Sequence, residues 1–212
     1  MIENILPKFC VYLALVLTAA ARTIVLDANE ADQMAVISDV APRLSWAACE
    51  AWPAVYNTGN IDLIPGRGFL IRFALNKVPS GQRIAFAELI LPVQSCSGSE
   101  PRFYLWRVLA EWGPGVSHLH RMTAPAKAAW AVPGARGLAS DRALRPSAVV
   151  RVLAPGEQAL NVTKDLELWH TGAAPNCGWL FTVEDPEISI RFASPAWDAP
   201  AAWKLRITYE PE

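Results

Sequence analysis

The sequence of 212 residues lacks an excess of charge of either sign. Its 19 basic and 20 acidic residues give a net charge of −1. No basic surplus is available to neutralise phosphates, which argues against nucleic acid as a partner. Charged residues make up only 18% of the chain and hydrophobic residues 52%. That balance excludes a disordered chain and predicts one large packed core, which at this length indicates a single domain.

Familiar catalytic signatures are missing. The chain has no GxSxG motif, no phosphate-binding loop, no dinucleotide glycine fingerprint and no Cys-x-x-Cys pair. Its acidic residues are scattered through turns and strand ends, where solvated carboxylates normally lie. We therefore predict that the protein is not an enzyme. The carboxylates considered for glycoside cleavage are Asp165, Glu167, Glu184, Asp185 and Glu187.

An apolar stretch long enough to span a bilayer is also missing. The run from Phe9 to Ala21 has 13 residues, against roughly 20 for a transmembrane helix. It follows a short start that ends at Lys8, and it finishes on three alanines, as a secretory signal does. We predict a signal peptide over residues 1–21 and one domain over residues 22–212. The expected location is extracellular or in the cell envelope.

Cysteine is scarce. Cys10 lies in the predicted signal, so the mature chain keeps Cys49, Cys96 and Cys177. In an exported protein three thiols allow one disulfide with one cysteine left over, and all three pairings stay open. Cys96 follows a predicted strand, Cys177 precedes another and Cys49 lies in a loop, and Cys96 is favoured as one partner.

Strand patterns are abundant and helix is scarce. Short runs of alternating apolar residues are separated by Pro- and Gly-containing turns, which indicates a β-sandwich or barrel. One helical turn is predicted over Lys164–His170. A Ser-rich turn follows Pro92, and the Ala/Pro-rich stretch from Met122 to Arg145 is predicted to be a long surface loop. The predicted strands are residues 68–75, 84–93, 103–108, 179–183, 188–192 and 203–209, with weaker candidates at 23–26, 34–38 and 148–153.

Metal-ligating patterns are weak. His118 and His120 would face the same way on a strand, but no third ligand is near them in sequence. Oxygen ligands for Ca²⁺ occur in two acidic or amide groups without the spacing of a calcium loop. The metal site therefore stays unknown. The two groups are Asp27, Glu30 and Asp32, and Asn57, Asn60 and Asp62.

Tryptophan is the main positive hint of function, with nine residues. Some of these lie outside the clean strands, in Pro- or Ala-rich loops. An exposed indole ring can stack on the apolar face of a sugar, whereas a buried one would plug an end of the sandwich. Both interpretations stay open for Trp46, Trp52, Trp130 and Trp197.

Several segments resemble the DNRLRE-domain family in order and spacing. The run from Phe69 to Leu91 is similar to the family pattern "LLRFDLSSLPSGATITSATLRL", with Ala74 where the pattern has Asp. The resemblance covers about two-thirds of the chain, from Gly66 to Glu210. The later matching segments are Leu105–Val108 with Glu111 and Trp112, Ala129–Ala135, Asp165–Trp169, Gly178–Phe181, Ile190–Ser194 and Lys204–Tyr209.

This resemblance implies a jelly-roll-like antiparallel β-sandwich, similar to carbohydrate-binding modules of secreted proteins. Trp112, Trp130 and Trp169 fall at family motif positions, which implies packing. Trp46, Trp52 and Trp197 then remain as ligand-binding anchors. By analogy with such modules, structural Ca²⁺ is the one cofactor suggested.

The expected function is non-catalytic binding of a polysaccharide or cell-surface glycan. The main alternative is a structural or adhesive envelope protein that binds a protein partner. A lyase or hydrolase on the same scaffold is the third.

Overall fold

Strands with alternating apolar residues build two antiparallel sheets, A and B, that pack face to face. The computed structural model describes residues 20–47, 60–193 and 203–211. Sheet A contains β1 (Arg22–Asp27), β4 (Asn60–Leu63), β6 (Gln82–Ser97), β11 (Gly156–Asn161), β13 (Ser189–Ala193) and β14 (Lys204–Pro211). Sheet B contains β2 (Ala31–Ser38), β3 (Trp46–Ala47), β5 (Arg67–Phe73), β7 (Arg102–Arg107), β10 (Ala148–Arg151) and β12 (Trp179–Thr182). The remaining elements are the 3-10 turn Ala28–Glu30, the short pair β8 (His120–Met122) and β9 (Ala128–Ala129), and helix α1 (Thr163–His170).

The long strand β6 organises sheet A, whose order is β1-β14-β6-β13-β4. β14 pairs with the first part of β6 and β13 with its end. β11 pairs with residues 88–93 of β6, which are partly shared with β14, so β11 lies on the opposite edge. Ahead of Glu88, this second edge of β6 has no strand partner among the described residues, and α1 lies there instead.

The main core lies between the sheets, as the alternating patterns predict. Most of the alternating apolar residues of the predicted strands are buried there, and large aromatic side chains meet across the sheets. The ring centroids of Phe69 and Trp203 are 4.6 Å apart and those of Phe103 and Phe192 are 5.4 Å apart, both edge to face. The all-β sandwich predicted from the sequence is thus confirmed.

A second core lies on the outer face of sheet B. Residues 108–147, named here the cover segment, pack over strands β2, β5, β7 and β12 and bury Trp112 and Trp130. The cover segment includes the stretch that was expected to be a surface loop. It packs because sheet B is apolar on both faces, so that Leu70 and Leu180 also need to be covered.

Two other expectations differ from the structure. The Ser-rich stretch after Pro92 continues β6 to Ser97, because β13 pairs with it and its exposed serines face solvent. Strands β4 and β11 were not predicted, since each is short and only partly apolar. The predicted signal peptide lies almost wholly outside the described residues.

Candidate functional site

Helix α1 is fixed against the sandwich at both ends. Leu166 and Trp169 are buried in the main core, as their spacing predicts. At the start of the helix, the Ala87 N–H donates to Thr163 Oγ1 over 2.9 Å, and at its end His170 Nε2 lies 2.8 Å from Gln82 O. The helix therefore runs beside the open edge of β6 and presents its polar side to solvent.

An open groove follows this polar side of α1. One part, of about 730 Å³, extends between β6, the helix and the end of the cover segment. A second part, of about 620 Å³, continues along the helix toward Gln82. Both parts are lined by Lys164, Glu167 and Leu168, so they adjoin. Volumes of this order are typical of ligand sites.

Phe86 is the aromatic residue of the groove. Ala87, Leu89 and Leu91 face the main core, so Phe86 is directed to the outer side of β6. Phe86 is 41% exposed, whereas the other phenylalanines that the structure describes are buried. The groove therefore offers an apolar flat surface.

Arg107 and Asp165 form an ion pair in the groove. Phe103 and Leu105 on β7 face the main core, and Arg107 follows them in the same register at the strand end. Arg107 Nε lies 3.3 Å from Asp165 Oδ1. Trp179 Nε1 donates to the other oxygen, Oδ2, over 2.7 Å. The buried Asp165 carboxylate thus connects the core to the groove.

Two further cations line the groove. Arg145 and Lys164 are exposed, and in the described part of the chain neither forms an ion pair. Many other basic residues do, such as Arg191 with Asp62 and Arg72 with Asp32. With Arg83 and Arg107, the two parts of the groove together have four basic residues and two acidic ones, Asp165 and Glu167.

Of the three predicted tryptophan anchors, the structure describes only the backbone of Trp46. Trp46 contributes its backbone to β3, while Trp52 and Trp197 lie outside the described residues. Trp112, Trp130 and Trp169 are buried, in agreement with the packing role that the resemblance implies.

The predicted disulfide is not found among the described cysteines. Cys96 and Cys177 are both free thiols, whereas Cys49 lies outside the described residues. Cys177 is buried below the cover segment, and this burial raises the pKa of its thiol. A pairing between Cys96 and Cys177, one of the three considered, is therefore wrong.

The candidate metal ligands are occupied in other ways or isolated. Glu30 pairs with Lys77, and this contact lowers the pKa of its carboxyl. Asp32 and Asp62 pair with arginines, and Asn57 lies outside the described residues. His118 and His120 have no third ligand, and no group of three His, Cys, Asp or Glu side chains could hold a metal ion in the part of the chain that the structure describes.

Of the scattered carboxylates, only Asp165 and Glu167 line the groove. Glu184 accepts from Thr182 and lies 3.5 Å from Arg142, and Asp185 accepts the N–H of Glu187.

Sequence reasoning missed Phe86 and Arg107. Phe86 occupies the outward position of a strand that was predicted, and an aromatic residue in that position was the available signal. Arg107 occupies a core-facing position, where a charged side chain needs a partner. Its partner Asp165 is distant in sequence, so the pairing could not be read from the spacing.

Two comparisons of the sequence with known proteins found no match. No family model matches the sequence, and no curated protein matches it either. The resemblance to the DNRLRE-domain family stays a prediction. Across residues 20–47, 60–193 and 203–211, no helix has the length and hydrophobicity needed to cross a membrane.

Proposed function

We propose that the protein is an exported, non-catalytic binding module for a polysaccharide, with the groove along α1 as its binding site. One observation carries the proposal: an exposed aromatic ring, Phe86, shares this groove with charged and amide side chains. The proposal also agrees with the carbohydrate-binding modules that the sequence resembles.

The chemistry of the groove suits a sugar chain. The Phe86 ring can stack on the apolar face of a sugar ring. Asn161 and Ser147 line the same groove with hydrogen-bonding groups for hydroxyls. Because the groove extends along the helix, it can accept an internal stretch of a chain. The surplus of basic over acidic residues favours a polymer that carries carboxylates or sulfates.

Binding to a panel of neutral and acidic polysaccharides tests the proposal. The mature chain, Arg22 to Glu212, is examined by affinity electrophoresis and pull-down, with and without a chelator. We expect retention on at least one acidic polymer and a loss of about tenfold in affinity for Phe86→Ala, the order expected for one stacked ring. Val132→Ala is the matched control, since Val132 is similarly exposed and lies outside the groove.

The same assay separates the groove from the tryptophan anchors. If Trp46→Ala, Trp52→Ala or Trp197→Ala abolishes retention while Phe86→Ala does not, the site is not the groove. Loss of retention in chelator would support structural Ca²⁺. No retention on any polymer would contradict the proposed function, and release of reducing ends from a bound polymer would contradict the non-catalytic part.

A structural or adhesive role is the second candidate, and one observation favours it. β10 pairs with β7 on one edge, and no strand pairs with its other edge within the described residues. Val149 is 53% exposed there and Leu153, just beyond the strand, is 83% exposed. An apolar edge of this kind can accept a strand from a partner chain.

Sedimentation at increasing protein concentration tests this second candidate for self-association through β10. Val149→Lys should abolish the association, whereas Val25→Lys, at an exposed valine on β1, should not. A monomer at every concentration would count against this form of the adhesive role.

A further inference from the structure

Arg107 reaches the groove from an unusual origin, the core-facing register of β7. Such a position normally holds an apolar residue, and the two preceding residues on this face, Phe103 and Leu105, are fully buried. The Arg107 side chain is still 20% exposed and lines the groove. One edge of its guanidinium therefore faces the interior of the sandwich, and the other edge is accessible to a ligand in the groove.

The orientation of Asp165 is set by the core and not by the groove. The Trp179 indole is fully buried and packs against Trp169, with ring centroids 4.7 Å apart. Its N–H needs an acceptor, because an unpaired buried donor is costly. Asp165 Oδ2 supplies that acceptor. The other oxygen, Oδ1, lies 3.3 Å from Arg107 Nε and is the ion-pair partner of the guanidinium.

This contact leaves the rest of the guanidinium available. Nε of Arg107 pairs with Asp165. The two Nη groups of Arg107 have no protein partner within the described chain. Arg145 and Lys164 differ, since they are exposed and no carboxylate orients them. Their charges attract an anionic ligand but do not orient it. A guanidinium that is held in place can donate two parallel hydrogen bonds to a carboxylate of the ligand.

We infer that Asp165 is a positioning residue, which holds Arg107 so that its Nη groups select a negatively charged group on the ligand. This inference rests on the proposed function and names the residue that gives the groove its selectivity. Part of the conformational entropy of the Arg107 side chain is already lost on folding, so less is lost when a ligand binds.

Removal of the Asp165 charge gives an effect whose sign tests the inference. If Asp165 acted only through its charge, Asp165→Asn would remove a repulsive group and an acidic polymer would bind more tightly. If Asp165 positions Arg107, the same change weakens binding, because an amide holds the guanidinium poorly. The amide oxygen can still accept from Trp179, so the fold should persist.

The probes are polygalacturonate, hyaluronan and the carboxyl-reduced form of each. For the polymer that the wild-type chain retains best, we expect at least tenfold tighter binding than for its reduced form. Asp165→Asn and Arg107→Lys should each lose about tenfold in affinity for the acidic form, about 1.4 kcal/mol, and little for the reduced form. Arg107→Lys keeps the charge and loses the planar fork, so it tests the geometry without touching Asp165.

Glu167→Gln is the matched control, because Glu167 lines the same groove and holds no arginine. Because this change removes a negative charge from the groove, the variant should bind the acidic polymer more tightly than the wild type does. If Asp165→Asn behaves like Glu167→Gln, the positioning role is wrong. If the wild type binds the reduced polymers as well as the acidic ones, this inference fails while the proposed function stands. If it retains no polysaccharide, both fail.

Discussion

The outer faces of the two sheets differ in their exposure to solvent. On sheet B the cover segment excludes solvent, and the apolar residues of its strands continue into a second core around Trp106 and Trp112. On sheet A the outer face is open, and cross-strand ion pairs such as Arg206 with Glu88 and Arg83 with Glu210 lie on it. One sheet is thus buried on both faces and the other on one.

This difference determines where a ligand can bind. Sheet B uses its outer face for stability, so it offers no open platform. The outer face of sheet A is open to solvent, but its charged side chains already form ion pairs with one another across the strands. The groove lies at the border of the two regions, where the last residues of the cover segment, from Arg145 to Ser147, meet the open edge of β6. There, Arg145 and Lys164 form no ion pair with the described residues, and a phenylalanine ring is exposed.

The largest expected effect breaks the cover of sheet B. Trp112→Ala removes a 2% exposed indole and the hydrogen bond that its Nε1 donates to Cys177 O over 2.8 Å. We expect a loss of about 4 kcal/mol in the free energy of unfolding, because the cavity cannot fully collapse. Urea titration monitored by far-UV circular dichroism measures it.

Phe86→Ala is the control on the open side. Its ring is partly in solvent already, so the loss should stay below about 1 kcal/mol. Similar losses for the two variants would mean that the cover segment adds little to the stability of sheet B.

The second prediction concerns the carboxylate that shapes the cover segment. Asp141 is buried and accepts the N–H groups of Ala131, Val132 and Gly137 at 2.8 to 2.9 Å. Asp141→Ala leaves these donors without their acceptor, and we expect a loss of about 3 kcal/mol.

Asp185→Ala is its control, because Asp185 accepts a single backbone N–H in an exposed turn. We expect about 0.5 kcal/mol from that change. Hydrogen exchange should also show faster exchange across the cover segment in Asp141→Ala and not in Asp185→Ala. Uniform protection in both variants would contradict a local role of Asp141.

Much of this fold could be predicted from the sequence, because strand periodicity records which residues share a face. Trp203, Leu205 and Ile207 alternate with polar residues, and all three are buried as predicted. The helical turn was also predicted from the spacing of Leu166 and Trp169. The periodicity of apolar residues predicted the buried positions correctly where one face of a strand or helix is buried and the other is exposed to solvent.

The cover segment and the groove could not be predicted in the same way. Trp130 and Asp141 are held by contacts within an irregular segment, which has no period to read. Arg107 and Asp165 come from different elements and meet only after the sheets have packed. The exposed phenylalanine was on a predicted strand, but only the structure shows that a helix lies beside it.

The third prediction compares one arginine on each face. Arg142 is buried with its guanidinium carbon 3.8 Å from the centroid of the Trp106 ring. Arg142→Ala should cost about 2 kcal/mol, since a desolvated cation–π contact and its packing are lost. Arg206→Ala, on the open face, should cost about 0.5 kcal/mol, as for exposed ion pairs. Equal costs in urea titrations would show that the cover adds nothing to the arginine contact.

The smallest expected effect is a pH dependence on the covered side. Burial lowers the pKa of His118, with a smaller lowering from Arg136 and an opposing effect from Asp39. The folded state therefore favours the neutral ring, while the unfolded chain binds a proton near the ordinary pKa of about 6.5. This contribution to stability is present above pH 6.5 and is lost as the pH falls below it.

His118→Gln should consequently lose less stability than the wild type between pH 7.5 and pH 5.5. Urea midpoints of the wild type and His118→Gln, measured at both pH values, give the difference. His120→Gln is the control for removal of a second imidazole from the cover segment. Because His118 belongs to the cover segment and lies beside Gly68 and Thr182 of sheet B, protonation should loosen the cover segment first. Faster exchange at pH 5.5 in the cover segment, with unchanged protection in sheet A, is the expected pattern, and the reverse pattern would show that the titrating group belongs to the open side.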